Sequence, residues 1–447
     1  MELKQKLIIL HINVLGVVMK KVIVSCCFLF TVFSLFSGSA LASGFALYEN
    51  SPRGAAVAGA FSATADDVSA VWYNPAGITQ LGGTHVMGGA TTYGSNGVKF
   101  KFDNGISDRS ESYVIPTPYF YASHKLNDNV WLGMGLFSPF GLEAEYSKTW
   151  EGRYNTYYSG NIATEFNTNL VYKVSDAFSV GFGISLQQFE VEFKQKINAG
   201  AVYLQGGGSS TDPLYTSLLE IDIDQKLFAN EESGFRYNLS LLYNVNDKLS
   251  FGANYRSEVD YTLKGDATYK DVPAIFSSEL HNSNVSGDIT LPMVIWTGIA
   301  YKVTPKLTLE TDLVMTGWSS YNKLEFDIEN SLGTQTIDKD WDDVYSIRIG
   351  ADYKATDTLA LRVGYLYDES PIPSDTIDYA MPSTDRHMLT TGLGYKIGQW
   401  TVDCHYGFIS LIGERDIDTR VAEGILVDST IKSVYVHQLG FSLAYMF

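Results

Sequence analysis

Residues 438–447, QLGFSLAYMF, decide the fold. In an extended chain Leu439, Phe441, Leu443, Tyr445 and Phe447 fall on one face, and Gln438, Gly440, Ser442, Ala444 and Met446 on the other. Successive side chains of a strand point to opposite sides, so the first face is continuously apolar and the second small or mixed. A strand of a soluble sandwich alternates in the same way. Ending the chain on Phe447 in such a strand resembles the assembly signal of outer-membrane barrels, and favours a face turned to lipid. The parity returns upstream. Phe235, Tyr237, Leu239, Leu241 and Tyr243 alternate with Arg236, Asn238, Ser240, Leu242 and Asn244. Leu359, Leu361, Val363, Tyr365 and Tyr367 alternate with Ala360, Arg362, Gly364, Leu366 and Asp368.

The connections between such segments are alternately short and long. Short ones centre on 126–129, 175–176, 246–248, 304–306, 356–357 and 398–399, where Asn, Asp, Pro and Gly supply tight-turn conformations. Longer stretches lie near 103–112, 141–160, 198–232, 265–284, 329–341, 369–384 and 413–430. A soluble sandwich has no reason to segregate loop lengths. A membrane barrel has one, with short turns in the periplasm and long loops outside. The expected fold is all-β: a transmembrane antiparallel β-barrel of about fourteen strands.

Composition agrees. Of 447 residues 45 % are hydrophobic and 18 % charged, against roughly 25 % charged in an average globular chain, which excludes disorder. A balance of 32 Lys+Arg against 50 Asp+Glu, net −18, argues against nucleic acid as a partner. Met19–Ala42, MKKVIVSCCFLFTVFSLFSGSALA, has a basic start, an apolar run and an Ala40-Leu41-Ala42 end, the form of a cleaved signal peptide. Residues 1–42 are read as a leader, with Met19 the expected true start. Two of the three cysteines lie in it. Cys404 remains, on the apolar face of its strand, and no intramolecular disulfide is possible. After residue 43 there is no run of about 18 apolar residues, which excludes a helical membrane protein.

Strands beginning near Gly83 leave residues 43–82, SGFALYENSPRGAAVAGAFSATADDVSAVWYNPAGITQLG, without period-two alternation. This stretch is rich in Gly, Ala and Ser, suited to close packing inside a barrel as a plug. It contains Gly44-Phe45, Glu49, Ser51, Ala58-Gly59, Asp66-Asp67, Ser69 and Asn74-Pro75-Ala76-Gly77. Further along stand Ser138-Pro139-Phe140-Gly141-Leu142, Trp150-Glu151-Gly152-Arg153-Tyr154, Leu291-Pro292, Gly317-Trp318-Ser319, Pro371-Ile372-Pro373, Pro382 and Asp385-Arg386. Taken together and in order, these motifs resemble the FadL family of outer-membrane long-chain fatty-acid transporters, over essentially residues 43–447. The resemblance implies an N-terminal hatch at 43–82 inside a barrel at 83–447. It implies passive uptake of long-chain fatty acids or similar hydrophobic compounds, and leaves aromatic or alkane hydrocarbons open as substrates. It further implies gating by a hatch rearrangement around Asn74, Pro75, Ala76 and Gly77. It implies also that release is sideways, into outer-membrane lipid, through a kink in the third strand matched here by Pro139, Phe140 and Gly141. Proline cannot donate to a ladder and glycine weakens it.

A fatty-acid site needs an apolar wall and a few polar groups for the carboxylate. Arginine binds a carboxylate with two parallel hydrogen bonds. Parity turns Arg236, Arg256, Arg348 and Arg362 inward, as candidate carboxylate-binding residues. The competing reading pairs them with inward acids such as Glu258, Asp312 and Asp352. Asp66 and Asp67 are read as structural. No catalytic motif, metal-ligand set or cofactor-binding motif is present. The expectation is a monomer of the bacterial outer membrane that engages the assembly machinery through Phe447. A general porin, an adhesin or phage receptor using loops 198–232 and 413–430, and an outer-membrane hydrolase are the alternatives.

Overall fold

A computed structural model describes residues 44–411, 413–418 and 428–447; the leader expected at 1–42 lies outside them. Fourteen strands form one closed antiparallel ring. They are β1 (Thr84–Ser95), β2 (Tyr113–Lys125), β3 (Val130–Glu145), β4 (Tyr158–Lys173) and β5 (Phe178–Asn198). After them come β6 (Asp222–Asn244), β7 (Leu249–Arg256), β8 (Val294–Thr304), β9 (Leu307–Thr316) and β10 (Val344–Lys354). The last are β11 (Leu359–Asp368), β12 (Arg386–Ile397), β13 (Trp400–Leu411) and β14 (Tyr435–Met446). Each pairs with its chain neighbour, and β1 closes on β14 from His85–Met446 to Ser95–Val436. Closure removes the free edges that hydrocarbon does not tolerate.

The alternation read from the sequence is the alternation of environments. Phe235, Tyr237, Leu239, Leu241 and Tyr243 are exposed on the outer face of β6, whereas Arg236, Asn238 and Ser240 are buried inside. Tyr172, Tyr243, Tyr301 and Tyr353 stand exposed near the short turns, and Tyr345 and Tyr435 near the opposite rim. Two aromatic girdles thus bound an apolar outer band, as a bilayer requires.

The long connections hold more strand than the sequence suggests. Val259–Lys270, Ser283–Leu291, Lys323–Ile328 and Gly333–Asp338 continue the sheet beside the upper half of β6. Tyr261, Leu263 and Ala267 are buried while Asp260, Thr262 and Lys264 are exposed, the pattern of an ordinary half-wetted sheet. Gly265 and Asp266 mark a turn by residue type, yet both lie within a paired strand. A second sheet joins Lys99–Phe102 and Ser107–Arg109, from the first long loop, to Arg415–Ile417 and Ser429–Ser433, from the last.

Residues 44–82 lie within the ring. Helix α1 (Pro52–Ala56) starts at Ser51, whose Oγ accepts the Gly54 N–H, with Pro52 in the first turn where no amide partner is needed. It packs against β11–β14. Helix α2 (Ala70–Tyr73) leads into a 3₁₀ turn, Pro75–Gln80, that touches β3–β6. Two wall glycines admit this backbone. A Cβ on Gly252 would stand 1.9 Å from Ser62 O, and one on Gly364 2.4 Å from Ala58 N.

Topology is testable by cysteine labelling after Cys404→Ser. Asp247→Cys, in the β6–β7 turn, should react with a membrane-impermeant thiol reagent only after the outer membrane is permeabilised. Ser209→Cys, in the β5–β6 loop, should react on intact cells. Labelling of residue 247 on intact cells would overturn the assigned orientation.

Candidate functional site

The ladder between β2 and β3 runs from Lys125–Trp131 to Phe120–Leu136 and stops there. Above this point β2 remains paired with β1, and β3 with β4. The β3–β4 register steps from Phe137–Glu165 to Phe140–Ala163, so Ser138 and Pro139 oppose Thr164 alone: a β-bulge. Contact resumes just beyond the start of β2, where Glu111 N–H reaches Glu145 O at 2.7 Å. Between these points the free edge of β3 is taken by the N-terminal segment. Ala46 bridges Phe140; Leu47 N–H donates to Pro139 O and Gly141 N–H to Phe45 O, both at 2.8 Å.

Behind this seal the Phe45 ring lies in an aromatic chamber. Trp318 is 4.7 Å from it between centroids, Phe140 and Tyr321 5.9 Å, Trp341 6.0 Å and Phe189 6.4 Å. Gly44 has φ of 59°, and a Cβ there would stand 2.6 Å from both tryptophans, so only glycine lets Phe45 enter. Beside Leu47 a cavity of about 260 Å³ is lined by Ile115, Leu142, Ile162, Val191 and Phe228. Among the outer loops a groove of about 570 Å³ combines Phe193, Leu227, Phe326 and Ile377 with Lys194 and Lys196.

The four inward arginines separate. Arg256 Nη1 lies 2.8 Å and Arg236 Nη1 3.7 Å from the Glu165 carboxylate, which also accepts from Ser185 Oγ and Gln187 Nε2. Arg256 stacks on Trp72, 4.5 Å from the ring centre, and Nη2 donates to Val71 O and Trp72 O. Arg362 bonds Asp352 at 2.9 Å and Asp403 at 2.6 Å. Arg348 makes no ion pair among the described residues: Nε donates to Ser346 Oγ, Nη1 to Ala58 O, the guanidinium covers Tyr48, and Nη2 has no partner.

Asn74 works as a junction. Its Nδ2 donates to Ser62 O at 2.6 Å and to Leu241 O of β6 at 2.9 Å, while Oδ1 accepts the Ala76 N–H. Ala76 N–H also donates to Ser240 Oγ, so the Asn74–Gly77 turn is stitched to β6. Asp66 and Asp67 face Arg53, at 2.5 and 3.6 Å, and Asp67 Oδ1 accepts from both Ser69 N–H and Ser69 Oγ. Burial pushes the Asp67 carboxyl above the usual range, against the pull of Arg53. Sequence reasoning passed over Glu165 and Glu310, and read Asp312 as an inward acid that would pair with an arginine. Glu310 and Asp312 of β9 accept the amides of 61–64. The same strand parity that turned the arginines inward turns these acids inward too.

A wall whose ladder is interrupted over one span, an aromatic chamber behind that span and a groove of mixed apolar and charged lining among the outer loops suit a channel for hydrophobic molecules. The chain belongs to the family described as outer membrane protein transport protein (OMPP1/FadL/TodX), which matches residues 33–426. It is similar to a putative outer membrane protein of Neisseria meningitidis serogroup B, 28 % identical, with 88 % of this chain and 91 % of that one covered. It is similar also to the long-chain fatty acid transport protein of Escherichia coli K12, 26 % identical over 82 % of this chain and 87 % of that one. The crystal structure of a Pseudomonas aeruginosa FadL homologue has the same fold, with TM-score 0.79 at 18 % identity, covering 91 % of this chain and all of that one. The protein is therefore a hydrophobic-compound transporter of the bacterial outer membrane, a channel and not an enzyme.

Glu165 holds two buried cations, so Glu165→Gln leaves both without a charge partner. Breaking a buried pair from one side costs about 3–5 kcal/mol. Urea unfolding of the variant in lipid vesicles should show a loss of that size, and an unchanged midpoint would mean that the cluster is wet in the membrane.

Proposed function

We propose that the cargo is a long-chain fatty acid or a similar amphipathic hydrocarbon, and that it leaves sideways, between β2 and β3, into the outer membrane. The observation that carries this reading is the seal itself: at Pro139–Gly141 the partner of β3 on that side is a short segment, residues 45–47, held by two backbone bonds that make the Ala46–Phe140 bridge. Cargo collects in the loop groove, enters the aromatic chamber and displaces Phe45. Residues 45–47 then leave β3, and Pro139, Phe140 and Gly141 border an open exit. In this reading 43–82 is a hatch and 83–447 a barrel working as a monomer, and Asn74-Pro75-Ala76-Gly77 holds the hatch half that stays on β6. The energetic direction is set by chain length, since each methylene moved from water to hydrocarbon contributes about 0.8 kcal/mol. Among the four arginines, Arg348 is the one without an acidic partner among the described residues, and its Nη2 is left to offer a carboxylate; the other three are paired with internal acids. Phe447, 69 % exposed beyond the last strand, is the handle for the assembly machinery.

The test is a lock. Ala46 and Phe140 face each other between the two flanking hydrogen bonds, as a non-hydrogen-bonded pair whose Cα spacing suits a disulfide. In a Cys404→Ser background, Ala46→Cys with Phe140→Cys should abolish oleate uptake when oxidised and recover it on reduction. Uptake by the oxidised form would eliminate exit through this span. Running toluene beside oleate distinguishes a fatty-acid channel from a hydrocarbon channel, and wild-type transport of toluene alone would overturn the cargo assignment.

A further inference from the structure

The parting of β2 and β3 has a cause in the edge that β2 presents. Successive residues of a strand turn their N–H and C=O toward opposite neighbours. Lys125 N–H reaches Gly83 O at the foot of β1, and Leu126 N–H reaches Val130 O of β3, both at 2.9 Å. The even-numbered positions of β2 therefore face β3. Over the unpaired span these are Val114, Pro116 and Pro118, and two of the three have no N–H. Pairing with β1 is untouched, because Pro116 and Pro118 sit opposite Thr92 and Ala90 with their missing amides directed away from β1.

The opposite edge repeats the feature. Below the bulge the even residues of β3 face β2; the extra residue reverses this, so that Pro139 and Gly141 face the gap and bond Leu47 and Phe45. Pro139 has no N–H to give either. Proline is ordinarily confined to edge strands and bulges. By position β2 is an interior strand of a closed ring, yet over this span it carries the chemistry of an edge.

We propose that Pro116 and Pro118 are positioning residues that keep β2 from pairing with β3. With 45–47 in place they leave the β3 edge at Pro139–Gly141 to that segment. With 45–47 withdrawn they prevent the ladder from healing across the span. The consequence for cargo rests on the reading of this span as the exit: the opening then persists for as long as the N-terminal segment is away, without any movement of the wall.

The full-length Pro116→Ala, Pro118→Ala double variant restores both donors with little change in bulk. In lipid nanodiscs, the new amides at 116 and 118 should be protected from hydrogen exchange. Leu47 N–H, losing Pro139 O to β2, should exchange faster than in the wild type. Two recovered ladder bonds bias the β3 edge toward β2 by roughly thirtyfold, and oleate uptake should fall on that order. Pro118→Ala alone, next to the existing Phe120–Leu136 pair, should protect residue 118 and lower uptake roughly fivefold; it serves also if the double variant assembles poorly. Unprotected amides at 116 and 118 in a folded variant, with Leu47 unchanged, would overturn the proposal. Protected amides with normal uptake would uphold the role of the prolines and remove the exit from this span, which separates the two claims.

Discussion

A backbone amide in hydrocarbon has no water to bond, so the ladder between neighbouring strands is the constraint on which the whole molecule depends. Thirteen of the fourteen barrel seams join strands by their own backbones, and the fourteenth, β2–β3, does so only in its lower half. Above Phe120–Leu136 the wall borrows a partner from inside. The bulge at Ser138–Pro139 turns the β3 edge to receive it, and Phe45, set by the left-handed Gly44, anchors it in aromatic packing. Over that span the wall is completed by a segment of the same chain that is not one of its strands.

The same constraint explains the polar lumen. Residues 44–82 bring their own unpaired backbone groups into the ring, and the inner wall supplies partners of both kinds. Carbonyls at 58, 71, 72 and 73 are met by Arg348, Arg256 and Asn254. Amides at 61–64 are met by Asp312 and Glu310. Buried charges are costly unless paired and bonded, and here they are held in place by the segment they hold. That division also gives the segment two unlike halves. Residues 58–80 are tied to the wall mainly through side-chain hydrogen bonds, whereas 45–47 have two backbone bonds to it and the packing of Phe45.

Strand number and turn positions were legible in the sequence because period-two alternation and turn chemistry are both local. The strands above the membrane were not, since Gly265 and Asp266 look like a turn and only their partners on β6 and on Ser283–Leu291 show otherwise. Parity gave the direction of Arg236, Arg256, Arg348 and Arg362 but not their company. Glu165 stands on β4, and it meets Arg236 of β6 and Arg256 of β7 only through the curvature of the ring. Asn74 announced a tight turn, while its bond to Leu241 O joins residues far apart in the chain. Pro116 and Pro118 were in plain sight, but their meaning depends on knowing which neighbour the even-numbered amides of β2 face.

The small sheet above the rim bears on how such a ring comes to be closed. Its strands Lys99–Phe102 and Ser107–Arg109 lead from β1 toward β2, and Arg415–Ile417 and Ser429–Ser433 lie between β13 and β14. The β1–β14 seam is where the two ends of the barrel chain meet, and this sheet crosses it outside the membrane. Phe100 and Phe102 are buried there against Trp150 and Tyr379, from two further loops. The seam therefore carries a clasp: the contacts that fasten it exist only when the last strand has arrived beside the first. Circular closure is thereby made cooperative, and a ring opened at that seam would have to give up an extracellular hydrophobic core as well as its ladder.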